Sequence, residues 1–397
     1  MKWSQRIGVV SGNAMEFYDI AVYAAISPYL STSFEQQGFI HGQLIIWGIF
    51  AIRFLIRPFG GIIVAQYAKR NGRKSALILT STLTGSATIL MAVLPINALG
   101  FYLPLALLIL QMVQAFSFGG EYPAIINYLI NDCEKEQQGR ISSLIVGSSL
   151  IGVIFSELIV LTLKNMLNSH QMMEFGWRIP LFIGGINILI SFWFRTTLPF
   201  QKVQHSNTSN HEKTTTKTVR LFLLTIPAAV VFYIQNLASS MISAKLLAGP
   251  LKETFPLINT SLLLVTVIST GQFVDRFTNS IRSFNFGIGC LFLFGIPLYY
   301  LSNSESFAIL ILSILGISVI SAMILSNLAA ALKEKSEGDD TSLGLGYNMA
   351  LSLFGGLTPI IVHSLIPYGI IYVGIYISLS AIPVFFERKL TVFRADI

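Results

Sequence analysis

Charge is scarce in this sequence. Lysine, arginine, aspartate and glutamate make up 11% of the 397 residues, whereas soluble domains carry about 25%. With 53% hydrophobic residues and a mean hydropathy of +0.68, a water-soluble globule is excluded in favour of a polytopic membrane protein. Cysteine is nearly missing: Cys133 lies in a polar loop and Cys290 in an apolar run, which gives neither a disulfide framework nor a zinc spacing. No HExxH, no paired Cys/His motif and no nucleophile–base set occurs, so enzymatic chemistry, a resident metal and a cofactor are not expected. Long polar stretches are missing too. No loop or tail exceeds ~25 residues, below the ~40 a lone domain needs, which counts against a membrane sensor or receptor with an appended signalling domain. The N-terminal apolar run is too long for a signal-peptide core and has no small-residue cleavage site.

What the chain does have is apolar runs. Bounded by polar or Gly/Pro breaks, they predict twelve spans near 7–30, 43–67, 75–95, 103–130, 141–164, 177–196, 221–244, 256–275, 283–302, 306–331, 342–366 and 369–386. The polar run at 198–220, rich in Ser, Thr, Asn and Lys, reads as a flexible cytoplasmic linker between an N-terminal six-helix half (1–197) and a C-terminal half (221–397). The net charge of +7 gives orientation and not a nucleic-acid patch. With both termini inside, 20 of the 26 basic residues fall in inner segments, and only Lys164, Arg178, Lys245 and Lys252 in outer ones. The remaining two, Arg53 and Arg57, lie within a span.

The first span is the informative one. It carries Asn13, Glu16 and Asp19, and a carboxylate at bilayer depth must face protein or a wet cavity. Glu16 and Asp19 are three apart and share a face, which Tyr23 continues. Helical rise puts Glu16 at ~14 Å and Asp19 at ~18 Å above the cytoplasmic end, and Arg57 at ~15 Å and Arg53 at ~21 Å on the antiparallel second span. The expectation is a four-charge ladder, Glu16 with Arg57 and Asp19 with Arg53, either as a proton-coupling device or as a structural clamp. Gln111 and Gln114 on the fourth span, Gln235 and Asn236 on the seventh, and Tyr347 and Asn348 on the eleventh suit hydrogen bonding to a polar solute in a central cavity. They equally suit joining helices. Glu121, near the cytoplasmic end of the fourth span, suits an inner gate.

A weak repeat relates the halves. AQYAKRNGRK after the second span and GQFVDRFTNSIR after the eighth are both basic turns, which brings Arg73, Lys74, Asp275 and Arg276 forward as gating residues. Five stretches then resemble one family: GNAMEFYDIAVY, RPFGG with NGRK, QAFSFGGEYPA, GWRIPLFIGG and GLGYNMALSLFGGLTP. They look like the metabolite:proton symporters of the major facilitator superfamily, which include proline/betaine, α-ketoglutarate, shikimate and citrate permeases. The resemblance implies an all-α membrane protein of the major facilitator fold, with twelve transmembrane helices. It implies alternating-access import of a small organic acid, amino acid or zwitterion, with the proton as coupling ion, by a monomer in the plasma (cell inner) membrane. The chain departs from the family pattern at Lys69, where an aspartate is usual, and at Gln111, where an arginine is usual. Asp340 and Thr341 stand where the family has a polar arginine, and no C-terminal coiled coil is expected. These departures leave an uncoupled facilitator or exporter of the same fold as the alternative.

Overall fold

In a computed structural model, residues 3–71, 73–186, 214–304 and 306–392 are described. They form helical rods and no strands. We number the rods by span. α1 is Trp3–Gln36. α2 runs Gly42–Phe54 and resumes at Arg57–Asn71. α3 is Arg73–Ala92. α4 is Leu103–Phe118 followed by Glu121–Ile130, and α5 is Gln138–Met166. Residues 178–186 begin α6, and the rest of its predicted span lies outside the described residues. α7 is Thr214–Asn236 followed by Ser239–Leu246; α8 is Pro250–Phe277; α9 is Ser280–Leu301; α10 is Phe307–Leu325 followed by Leu328–Ser336. α11 runs Asp340–Ala350, passes through a π-helical turn at Leu351–Gly355 and continues as Gly356–Leu365. α12 is Ile370–Leu379 followed by Ile382–Val392. Among the described residues, nine helical stretches are long and apolar enough to cross a membrane.

The breaks within rods follow from sequence. Pro58 has no N–H to give the Phe54 carbonyl, and α2 is interrupted at Leu55–Ile56. In α4, Gly119 and Gly120 weaken the helix just where Pro123 has no N–H to continue the helical ladder. Starts are capped by side chains. Asn279 accepts from the Arg282 N–H at 2.8 Å, and Asp339 accepts from those of Thr341 (3.1 Å) and Ser342 (3.0 Å).

By packing, the chain separates into two compact units. One holds the described residues of Lys2–Tyr122 and Ile151–Thr208; the other holds those of Pro123–Leu150 and Ser209–Ile397. The segment 123–150 of the first six spans therefore packs with the second six. In the first unit, α1 lies against α2, and α2 and α3 against α4. A Cβ at Gly60 would run into the Phe116 carbonyl, and one at Gly119 into that of Arg57, so these glycines allow α2 and α4 to touch backbone to backbone. In the second unit, α7 lies along α11, α9 along α12 and α10, and α8 along α10.

One boundary is corrected. The predicted linker 198–220 lies outside the described residues as far as 213, but α7 is already helical at Thr214. Its first two turns look like linker because Val219 is their one apolar residue. They are held instead by charge: Lys217 Nζ lies 2.9 Å from Glu337 Oε2, and Arg220 Nε 3.0 Å from Glu387 Oε1.

Candidate functional site

Four spans of the first unit converge on the charges of α1. Glu16 Oε1 accepts from Arg57 Nη2 at 2.7 Å, and both side chains are 1% exposed. This is the lower rung that depth arithmetic predicts. The Arg57 guanidinium also stacks 5.4 Å from the Phe54 ring. Glu121, buried in the first turn of the second part of α4, acts on Glu16 electrostatically.

The upper rung is different. No ion pair joins Asp19 to Arg53. Arg53 Nη1 donates to Gln111 Oε1, and its guanidinium sits among three rings: Phe50 at 4.7 Å, Phe54 at 5.1 Å and Tyr23 at 6.0 Å. Tyr23 is held by its own hydroxyl, which donates to the Ile46 carbonyl at 3.3 Å. Equal depth did not suffice for pairing, because depth says nothing about the direction in which a side chain leaves its helix. Arg53 turns to α4 and the aromatic faces of α1 and α2.

Asp19 is buried and looks to α3 instead. Its Oδ2 lies 3.4 Å from the Thr88 hydroxyl, which accepts from Gln114 Nε2 at 2.6 Å. The other glutamine, Gln111, donates to Met91 Sδ at 3.1 Å. Thus Gln111 and Gln114 belong to two separate networks, one around Arg53 and one around Asp19. Asn13 is fully buried on α1. Thr88 carried no sequence signal, being one of several hydroxyl residues in an unremarkable α3.

In the second unit, Gln235 accepts from Asn259 Nδ2 on α8 (3.1 Å) and donates to the Tyr299 hydroxyl on α9 (3.3 Å). The side chain is engaged in joining three helices, beside a cavity of about 30 Å³ that Ser239 and Ser302 also line. Asn236 donates to its own helix at Phe232 O (2.8 Å), and Asn348 likewise to Gly344 O (2.9 Å). Tyr347 is buried beside it.

Of the gating set, Asp275 has the fullest role. Its carboxylate accepts the backbone N–H groups of Gly139 (2.7 Å) and Arg140 (3.1 Å) and the Arg140 side chain (2.8 Å). It thereby caps the N-terminus of α5 from the end of α8, where a carboxylate opposes the helix dipole. Arg276 takes no part; it is exposed and lies over the Phe277 ring at 5.4 Å. The arginine that completes the cap is Arg140, which lies outside the predicted gating set. The side chains of Lys69, Arg73 and Lys74 lie outside the described residues.

A bundle of helices long and apolar enough to cross a membrane, with the Glu16–Arg57 pair buried at depth, has the setting of a transport protein. The Major Facilitator Superfamily profile matches residues 9–359, and the chain belongs to that family. It is 27% identical over 372 residues to a Staphylococcus aureus (strain MSSA476) protein provisionally named a proline/betaine transporter, covering 88% of this chain and 79% of that one. It is 30% identical over 194 residues to the alpha-ketoglutarate permease of Escherichia coli (strain K12), covering 48% and 45%. To the citrate-proton symporter of Klebsiella pneumoniae it is 24% identical over 377 residues, covering 91% and 84%. In structure it matches the proton:xylose symporter XylE with a TM-score of 0.76 at 14% identity, over 97% of this chain and 94% of that one. The chain is a multi-pass membrane transporter of a small molecule and not an enzyme, with the fold and the metabolite-permease kinship that its motifs imply.

Proposed function

We propose that this protein is a secondary active importer of a small polar metabolite driven by protons, with Asp19 as the proton carrier. One observation carries the reading: Asp19 is buried in a span and faces a hydroxyl, whereas Glu16 is closed by Arg57. An ionised carboxylate in a membrane without an ion pair is costly, and a proton relieves that cost. Glu16 already has its counter-charge, so it serves as a clamp between α1 and α2. The Asp275 cap on α5 and the hydrogen bond from Lys333 Nζ to Asn127 Oδ1 (2.6 Å) would then be contacts broken and remade at the cytoplasmic gate. The relatives support a substrate among amino acids, betaines and carboxylic acids. The basic-residue bias supports both termini in the cytoplasm of the inner membrane, and thiol labelling of a cysteine placed at 205 should succeed from that side alone.

The test begins with thermal-shift screening of proline, glycine betaine, α-ketoglutarate and citrate, since binding to the folded state raises the midpoint. With the best of these, counterflow and proton-driven uptake are measured in the same liposomes. Asp19→Asn should retain counterflow, because exchange needs only reorientation of the loaded carrier, and lose accumulation. Accumulation by Asp19→Asn against a gradient under proton drive alone would refute the assignment.

A further inference from the structure

Three helices close on Asp19, and each contributes one thing. From α3 comes the Thr88 hydroxyl, 3.4 Å from Oδ2. From α4 comes Gln114, whose Nε2 lies 2.6 Å from that same hydroxyl oxygen. From α6 comes Gly184, where a Cβ would stand 2.6 Å from Asp19 Oδ1 and 3.3 Å from Thr88 Cγ2. The glycine therefore lets α6 close over the carboxyl–hydroxyl pair. The charged and titratable groups that bear on Asp19 are Arg53 of α2, acting at a distance, and Tyr18 beside it on α1. α3, α4 and α6 add no titratable group among the contacts above.

The Thr88 hydroxyl has one hydrogen and two acceptors in reach: Asp19 Oδ2 and the Thr84 carbonyl, 2.9 Å away. It cannot serve both at once. One of its two lone pairs takes the Gln114 N–H and the other is free to accept. We infer that Thr88 is a two-state positioning residue for the transported proton, a role that rests on the coupling assignment of Asp19 made above. With Asp19 ionised, the hydroxyl donates to the carboxylate. When Asp19 takes a proton, that O–H donates to the oxygen of Thr88, whose own hydrogen turns to the Thr84 carbonyl. The hydroxyl keeps its hydrogen throughout; the proton comes from water on one side and leaves to water on the other. In each state the Thr88 hydrogen has an acceptor and the facing Asp19 oxygen is hydrogen-bonded to the hydroxyl, so neither state leaves that contact unmade, a cost of roughly 1–3 kcal/mol that would otherwise fall on one of them.

The test is infrared titration of the purified full-length protein in liposomes, with no substrate added. The C=O band of the protonated Asp19 carboxyl is assigned by its loss in Asp19→Asn. Thr88→Val keeps the shape and removes the hydroxyl; the band should move in frequency and its titration should be displaced by half a unit or more, about threefold in the binding constant. Thr88→Ser should restore both. Thr88→Ala makes the same deletion if Val is not accommodated. Gly184→Ala, which presses on the carboxyl without adding or removing a polar group, should also move the band. A band present in the parent protein and unchanged in position and titration by Thr88→Val or Thr88→Ala overturns the role of Thr88 and leaves Asp19 as carrier. A parent protein with no Asp19 band at any accessible pH overturns the carrier assignment as well.

Discussion

Arg57 Nη2 and Glu16 Oε1 lie 2.7 Å apart with both side chains sealed from solvent, and this contact ties the first two spans together. Removing one partner of a buried pair leaves the other charge bare, which costs more than the pair is worth. Arg57→Ala should therefore destabilise the protein by about 3–5 kcal/mol. The double variant Arg57→Ala/Glu16→Gln should recover most of that loss, because no lone charge remains. Unfolding in detergent measures both; losses that simply add would show that the two groups do not act as a pair.

Arg53 presents the opposite case, a guanidinium held by a neutral amide and ring faces. A hydrogen bond from a charged group to a neutral acceptor is worth about 1.5–3 kcal/mol. A double-mutant cycle between Arg53→Met and Gln111→Leu should return a coupling of that size, whereas Arg53→Met and Asp19→Asn should add to within about 0.5 kcal/mol. Strong coupling in the second cycle with none in the first would restore the four-charge ladder.

The contrast between these two rungs shows what could be read from the sequence. Composition and the length of apolar runs placed the spans, because the bilayer imposes a length and a hydropathy. The same helical rise put Glu16 level with Arg57, and there the pair forms. It also put Asp19 level with Arg53, and there it does not, because the aromatic faces of Tyr23, Phe50 and Phe54 draw the guanidinium away. Thr88 could not be found at all: its partners are distant in sequence, and a hydroxyl residue within a span is usually bonded to its own helix. Lys217 and Arg220 were misread for the opposite reason. Polar composition resembles a linker, yet ion pairs, that of Arg220 with Glu387 buried, hold these turns as helix.

Asp275 closes the α5 N-terminus through two backbone N–H groups and the Arg140 side chain. Asp275→Asn removes the charge and keeps the size, so the cap should weaken by about 1.5–3 kcal/mol. Gly139 and Ser143 face Gly271 at this junction, where a Cβ on Gly271 would meet the Ser143 hydroxyl. A thiol at Ser143→Cys should thus react with a cytoplasmic reagent on the order of tenfold faster in the Asp275→Asn background. An unchanged rate would mean that the junction is held by packing alone. Arg276→Ala should have no effect on the rate, since Arg276 lies on Phe277.

Glu387 makes the final case, in the second half of α12. Its Oε1 lies 3.0 Å from Arg220 Nε and 3.6 Å from Lys335 Nζ, so one buried carboxylate holds cations from α7 and α10 against α12. Neither cation is well exposed: the side chains of Arg220 and Lys335 are 9% and 28% accessible. Glu387→Gln leaves two cations facing an amide and should cost about 3–5 kcal/mol, as for other broken buried pairs. Because Arg220 closes the second turn of α7, the loss should appear first as fraying of that helix start. Limited proteolysis within Thr214–Arg220 should therefore precede global unfolding in Glu387→Gln and not in the parent protein. Glu387→Asp keeps the charge on a shorter stem and should lie between the two. If Glu387→Gln unfolds at the parent temperature with no earlier cleavage, the helix start is held by the Lys217–Glu337 pair and apolar packing, and the carboxylate of Glu387 is dispensable to the fold.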